Sequence, residues 1–353
     1  MPLTRFHDLR PGLARAVLAV FAAVTLLLVL QALSIVEPQQ AAADRKGDLY
    51  MYSQVVERLK AGEPYYQALH TELVDGGYGL QSVFNWRPPF FLSALALSPS
   101  WLLSQGVLLA LALAGLVLGR RLVSDVQSLW LKVLLSAMFV FSLLSAAAPQ
   151  AELMCELYAG ALILISVSAY GQKLPWLGFA AAVLALLVRE LTVVYALVCV
   201  GLAVRDRRWR EVAAWAGALA LFLLYYGWHA QMAMSTVGPS DTAYRDGWLQ
   251  FQGMAFDIVT AHFNGLLMLL PFWVSALLLA LAVLGLLAWP AAAAERVLLA
   301  VLAYLAVFAI GGKPFNSYWG ALYTPLLCFG IAWALPALRD LLQAASRRPA
   351  LQG

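Results

Sequence analysis

Charge is what this sequence has least of. Only 12% of its 353 residues are Asp, Glu, Lys or Arg, while 63% are hydrophobic. A water-soluble domain carries about 25% charged and about 45–50% apolar residues. The shortfall excludes a soluble protein with an apolar core and a polar shell. Cysteine is scarce too. Cys155, Cys199 and Cys328 sit in or beside apolar runs, without metal spacing and without a paired pattern, and read as buried thiols rather than a disulfide framework. His70, His229 and His262 are dispersed, no pair has zinc spacing, and they read as solvated or capping residues. No Gly-rich loop ending in Lys-Ser/Thr is present, which excludes the common phosphate-cradling motif for nucleotides. No internal repeat or low-complexity linker is visible. The net charge of +4 fits an excess of Lys and Arg on the cytoplasmic side of a membrane, not a nucleic-acid partner.

What is abundant is uncharged apolar sequence in long runs, over 16–36, 102–118, 215–228 and 266–289. Roughly 18 or more such residues read as a transmembrane helix. A helix satisfies its own backbone hydrogen bonds in lipid. A barrel needs alternating segments of about 10 residues, and none is present. The expected fold class is therefore all-α, a polytopic membrane bundle of about ten helices. A basic N-terminal segment before the first run (Arg5, Arg10, Arg15), with Ala41-Ala42-Ala43 after it, has the outline of a signal peptide. The apolar run is too long for a signal core, and further spans follow, so it is expected to be a retained span.

The basic clusters orient the chain. Arg5, Arg10 and Arg15, then Arg120 and Arg121, Lys173, Arg205 to Arg210, and Arg339, Arg347 and Arg348 all fall on one side if they are placed in the cytoplasm. That choice predicts spans over 16–36, 101–119, 129–147, 155–171, 175–188, 191–204, 211–229, 264–288, 296–310 and 318–338. Both termini are then cytoplasmic. A first outer loop occupies 37–100 and a second 230–262, within a single transmembrane domain over 1–353. The apolar stretch 88–99 is too short to cross and reads as interfacial or re-entrant, with Trp86 and Trp101 at the headgroup level, the alternative being a short true span. Arg189-Glu190 falls between two short spans and is expected at the outer surface.

The first outer loop opens with Asp44-Arg45-Lys46-Gly47-Asp48. Leu49, Tyr52, Val56 and Leu59 then share one helical face, and Gly62 and Pro64 stop the helix. A glycine cluster (Gly76, Gly77, Gly79) precedes Asn85-Trp86-Arg87-Pro88-Pro89. Asp48 supplies a carboxylate at the membrane surface, suited to general-base work. It also stands where a helix N-cap belongs. Glu152 and Glu156, four apart, face the same way if helical, and suit either sugar contacts, a divalent ion or a solvated helix start. Arg189 and Glu190 are ionisable residues inside an apolar stretch, which are rare and usually functional. Alternatively they form a structural ion pair. Lys313 is the sole cation of a short late loop that leads to Tyr318, and either grips a phosphate or snorkels to the headgroups. Arg87 has the same two readings. In the second loop, Trp248, Phe251, Ala255 and Ile258 share a face and predict another surface helix.

The frame Gly47-Asp48-Leu49-Tyr50, the helix ending Leu59-Lys60-Ala61-Gly62-Glu63-Pro64-Tyr65, and Trp86-Arg87-Pro88-Pro89 together resemble the polyprenol-phosphate-sugar-dependent glycosyltransferases of the GT-C fold. Glycosyltransferase family 87 and its uncharacterised bacterial relatives are the nearest in pattern. The sharp part of the resemblance is 47–89. It implies a bacterial plasma-membrane enzyme with its active site on the outer face. An acidic residue of the first outer loop would be the catalytic base, for which Asp48 matches best and Asp44 is the neighbouring rival. It also implies a polyprenyl-phosphate-linked sugar donor, a glycan, lipid or protein acceptor, and contact with membrane lipids. Arg87, Glu152, Glu156, Arg189, Glu190, Lys313 and Tyr318 would bind substrate. Lys313 with Tyr318 departs from the family's adjacent Arg-Tyr pair. No cofactor is expected, a divalent cation being the alternative. Two other readings stay open: a transporter or flippase of a lipid-linked sugar, which predicts ionisable groups near the midplane and an internal repeat, and a non-catalytic membrane scaffold.

Overall fold

The computed structural model describes residues 3–35, 47–123, 128–243 and 250–347. Among these residues the chain is helical, with no strand. In chain order the helices are α1 (Pro11–Leu33), α2 (Asp48–Lys60), α3 (Tyr65–Asp75), α4 (Pro89–Leu97), α5 (Trp101–Arg121), α6 (Leu129–Leu143), α7 (Cys155–Gly171), α8 (Pro175–Val188), α9 (Val193–Arg205), α10 (Trp209–Thr236), α11 (Gly253–His262), α12 (Phe272–Ala288), α13 (Ala293–Ile310) and α14 (Thr324–Ser346). Six segments among the described residues are long and apolar enough to cross a membrane: α1, α5, α6 with its 3-10 extension to Ala147, α10, α13 and α14. Three more apolar helices, α7, α8 and α12, are shorter. The protein is thus a helical membrane protein.

Side-chain exposure separates the lipid-facing helices from the interior. Only Ala14, Leu28 and Ala32 of α1 are buried, so α1 lies at the edge. Every residue of α7 from Cys155 to Ala169 is buried. A helix that is apolar on all sides belongs at the centre of a bundle. Polar contacts sort the helix ends into two faces. On one, the basic face, Thr4 N donates to Asp340 at 2.7 Å, Arg15 Nε donates to the Ala345 carbonyl at 3.0 Å, Gln172 Nε2 donates to the Leu118 carbonyl at 3.1 Å, and Arg205 pairs with Glu295. The segment before α4, the N-terminus of α7 and the α8–α9 junction meet on the opposite face.

Several boundaries differ from the sequence expectation. The eighth span begins at Phe272 rather than 264, because Pro271 has no N–H and starts the helix. The last begins at Thr324, after a 3-10 stretch over Pro314–Leu322. Helix α10 runs on to Thr236, past the expected end at 229. The stretch 88–99 forms α4, nine residues long and too short to cross. Phe251 lies outside α11 and is 82% exposed, while Phe256, Ile258 and Ala261 are buried. The face predicted through Phe251 is therefore not the packed one, and Trp248 lies outside the described residues.

Small residues set the closest helix crossing, α12 on α14. A Cβ added to Gly285 would collide with the Gly330 carbonyl, and one added to Gly330 with the Ala282 carbonyl. Apolar burial offers no net drive between helices in lipid, so close backbone packing of this kind carries the association. Gly330→Ala is expected to cost about 1–3 kcal/mol, the range for overpacking a fitted core. A lowered melting temperature in a fixed detergent reads it out. Gly217→Ala, where an added Cβ meets nothing, is the matched control and leaves melting unchanged or raised.

Candidate functional site

The site grows from three elements that end at one place on the opposite face. Helix α7 starts at Cys155 and presents Glu156 in its first turn. Helices α8 and α9 have 14 and 13 residues and meet at Arg189 and a 3-10 turn over Glu190–Thr192. At ~1.5 Å per residue each is about 20 Å long, short of the roughly 30 Å of a hydrocarbon core. At their junction Arg189 is only 3% exposed. The third element is the extended segment before α4, where Pro88 and Pro89 exclude continued helix and Arg87 turns inward.

Glu156 is shared by both arginines. Its Oε1 accepts from Arg87 Nη2 at 3.0 Å. The same oxygen lies 2.9 Å from Arg189 Nε, an ion pair whose N–H is not aimed along the contact. Arg189 also pairs through Nη1 with Glu190. Glu156 and Glu190 are 3% and 17% exposed at the side chain. Ion pairs this buried strongly penalise loss of either partner. The reading of Glu152 and Glu156 as a solvated helix start fails, since both are buried. They also lie on different elements, because the 3-10 turn over Ala151–Leu153 is broken from α7 at Met154. Glu152 influences Tyr158 and has no ion pair with either arginine among the described residues.

Aromatic hydroxyls surround the arginines. Arg87 Nε donates to Tyr52 Oη at 2.9 Å, and Tyr65 Oη donates to the Arg87 carbonyl at 2.7 Å. Burial raises the Tyr52 phenol well above its usual range, with Arg87 opposing and Asp48 adding to the rise. Tyr52 therefore keeps its proton and can donate it. Asp48 lies one helical turn before Tyr52, on the same face of α2. Asp48 is the first helical residue, and Gly47 is the cap, without any side-chain cap bond. The capping role is thus not taken up; instead Asp48 accepts from Tyr78 Oη. Gly76 and Gly77 place Tyr78: a Cβ on Gly76 would meet the Tyr78 ring at 2.5 Å, and Gly77 sits at φ +68°. Asp44 lies outside the described residues.

The late turn closes the site. Lys313 is buried, its N–H donates to Asn316 Oδ1 at 3.0 Å, and Asn316 Nδ2 donates to Tyr318 Oη at 3.1 Å. The Arg189 guanidinium stands 5.9 Å from the Trp319 ring centre. Burial pushes the Tyr318 phenol up to about 12, opposed by Arg87 and Arg189 and aided by Glu156 and Asp48. The electrostatic reach of those four groups on one phenol places Asp48, Arg87, Glu156, Arg189 and Tyr318 in one neighbourhood. Among the described residues no group of three or more His, Cys, Asp or Glu is placed to hold a metal. Glu156 itself is taken up by guanidinium groups.

Two histidines that read as solvated are structural clamps. His229 is fully buried, with Nδ1 3.0 Å from Tyr66 Oη and Nε2 3.1 Å from the Trp86 carbonyl. The carbonyl can only accept, so Nε2 carries the hydrogen and Nδ1 accepts from Tyr66. This ties α10 to the segment bearing Arg87. His70 Nε2 lies 2.8 Å from Asp241 Oδ2, which also accepts from Gly238 N–H at 2.7 Å. Hydrogen bonding from His70, then from Gly238, holds the Asp241 carboxyl below its usual value. A carboxyl lowered in the folded state stabilises above its unfolded pKa, about 3.9, and loses that contribution as pH falls further through the folded value. Amide exchange in 237–243 is therefore expected to stay slow down to about pH 4 and to speed up below it. Asp241→Asn abolishes the acid step. The signals missed in the sequence were Tyr52, four residues after Asp48, and Tyr78, inside the glycine cluster.

Compared with known proteins, the chain matches no family model, no curated protein and no solved structure.

Proposed function

We propose that the protein is an inverting, membrane-embedded glycosyltransferase of the GT-C type. It takes a sugar from a polyprenyl-phosphate donor and passes it to a glycan, lipid or protein acceptor on the outer face of a bacterial plasma membrane. The observation that carries this reading is the buried Arg189 and the half-buried Arg87 meeting on the buried Glu156, with Tyr52 linking Arg87 to the helix face of Asp48. In this reading the chain crosses ten times, through α1, α5 to α10 and α12 to α14. The basic face and both termini are cytoplasmic.

Asp48 takes the proton of the acceptor hydroxyl as its oxygen attacks the anomeric carbon. The bond from that carbon to the phosphate oxygen breaks, and polyprenyl phosphate leaves with the electron pair. Arg87 and Arg189 meet the growing negative charge, an electrostatic role that a preorganised, water-poor site makes strong. Tyr52 and Tyr318, held protonated by burial, donate hydrogen bonds to the sugar or phosphate. Glu156 keeps the two guanidinium groups apart and aligned, and acts as a positioning residue. Tyr78 does the same for Asp48.

The burial of Arg189 at the α8–α9 corner also favours a second reading, transport of a lipid-linked sugar, since ionisable groups buried among membrane helices mark such pathways. One experiment separates the two. Purified protein in lipid nanodiscs is offered a panel of polyprenyl-phosphate sugars with membrane glycan extract, and released polyprenyl phosphate is measured. Release supports the transferase. No release from any donor that a control enzyme accepts, with labelled donor crossing proteoliposome walls, supports the transporter.

A further inference from the structure

A second feature lies far from this site, on the lipid-facing wall near the basic face. Helices α9 and α13 leave between them an open groove of about 450 Å³, lined by Val198, Gly201, Leu299, Leu302 and Ala303, with Arg205 at one end. The volume is that of a small-molecule site. The lining is apolar throughout except for Arg205. Gly201 opens it: an added Cβ there meets nothing within 4 Å. From Arg205 to Val198 the groove runs two helical turns, about 10 Å into the bilayer. A free aqueous anion has no use for such a slot, and a wholly apolar molecule has no use for its charged end. The ligand is an amphiphile with an anionic head and an alkyl chain.

The mouth has the matching charge. The C-terminus of α9, the N-terminus of α10 and the N-terminus of α13 bring the exposed Arg205, Arg207 and Arg210 together with the partly exposed Asp206 and Glu295. Arg208 is taken up by the buried Glu211, which leaves three exposed cations facing two carboxylates. Arg205 pairs with Asp206 and Glu295, but the side chains are 52%, 40% and 44% exposed. Exposed pairs are worth little and can be shared with a phosphate, which a guanidinium grips through two parallel bonds. Arg207 and Arg210 are exposed beside it, and Trp209, 62% exposed, has the position of an interfacial anchor. We infer that an anionic glycerophospholipid of the leaflet at the basic face seats one acyl chain in the α9–α13 groove, with its phosphate on Arg205. The inference requires α9 and α13 to stand in the membrane, and it is independent of any transfer activity.

The test is native mass spectrometry of the delipidated protein titrated with phosphatidylglycerol, phosphatidylcholine or a polyprenyl phosphate. Phosphatidylglycerol is expected to bind saturably at one site and about tenfold tighter than phosphatidylcholine. Gly201→Leu puts a side chain into the groove from a Cβ position that meets nothing within 4 Å, and is expected to lose that site while melting as the parent does. Arg205→Gln is expected to bring phosphatidylglycerol down to the level of phosphatidylcholine and leave the latter unchanged. Binding that survives Gly201→Leu, equal binding of the two phospholipids, or tighter binding of the polyprenyl phosphate at this site would each overturn the inference.

Discussion

Arg189→Gln is expected to lower stability by about 3–5 kcal/mol, the range for removing one partner of a buried ion pair. The residue is 3% exposed and is the partner of two carboxylates, Glu156 and Glu190. Glu156 retains Arg87 after the substitution, but Glu190 loses its ion pair. A carboxylate stranded at that depth must take up a proton or draw water inward, and either is costly. Arg189→Lys keeps the charge but cannot span both acids with one head, so it recovers only part of the loss. The double variant Arg189→Gln/Glu190→Gln removes the stranded charge and is expected to melt above the single variant, a non-additivity that shows the coupling. Thermal melting in one detergent decides it. Parent-like melting of Arg189→Gln would mean that the corner is hydrated and the pair is not structural.

Asp48→Asn is expected to lower sugar transfer by about 10²–10⁴-fold, the usual contribution of a positioned general base. The fold is expected to be untouched, because the amide oxygen still accepts from Tyr78 and the α2 cap is Gly47. Melting of the variant therefore matches the parent, and released polyprenyl phosphate falls. Tyr78→Phe is the companion. It keeps the carboxylate and removes the hydroxyl that orients it, so transfer falls by less than in Asp48→Asn. Full release from Asp48→Asn, with loss in Asp44→Asn, would move the base to the neighbouring acid. Full release from both would remove the base from this loop.

Much of the architecture was readable along the chain. The apolar runs, the basic clusters and the short spans at 175–188 and 191–204 correspond to helices α8 and α9 and to one basic face. These features depend on each segment's own content: apolar length sets helix in lipid, and Lys and Arg mark helix ends. The acids and bases of the candidate site were likewise visible as rare charges in an apolar chain. Their partners were not. Glu156 to Arg87 spans 69 positions, and His229 to Tyr66 spans 163. Distances of that kind have no periodic signature. Asp48 looked like a cap because the helix start was legible, while Tyr78, which takes it up, arrives through a glycine turn thirty positions on.

By itself, then, the sequence determined that this is a multi-helix membrane protein with a few rare charges at an apolar junction and in its loops, because hydrophobicity and charge act on each residue wherever it lies. Tertiary structure alone decided which charges meet. Helices α8 and α9 meet at Arg189, the first turn of the buried α7 supplies Glu156, and a proline-stopped segment turns Arg87 onto the same oxygen. Burial then makes each of those pairings obligatory, since a lone charge in that place would be too costly to keep.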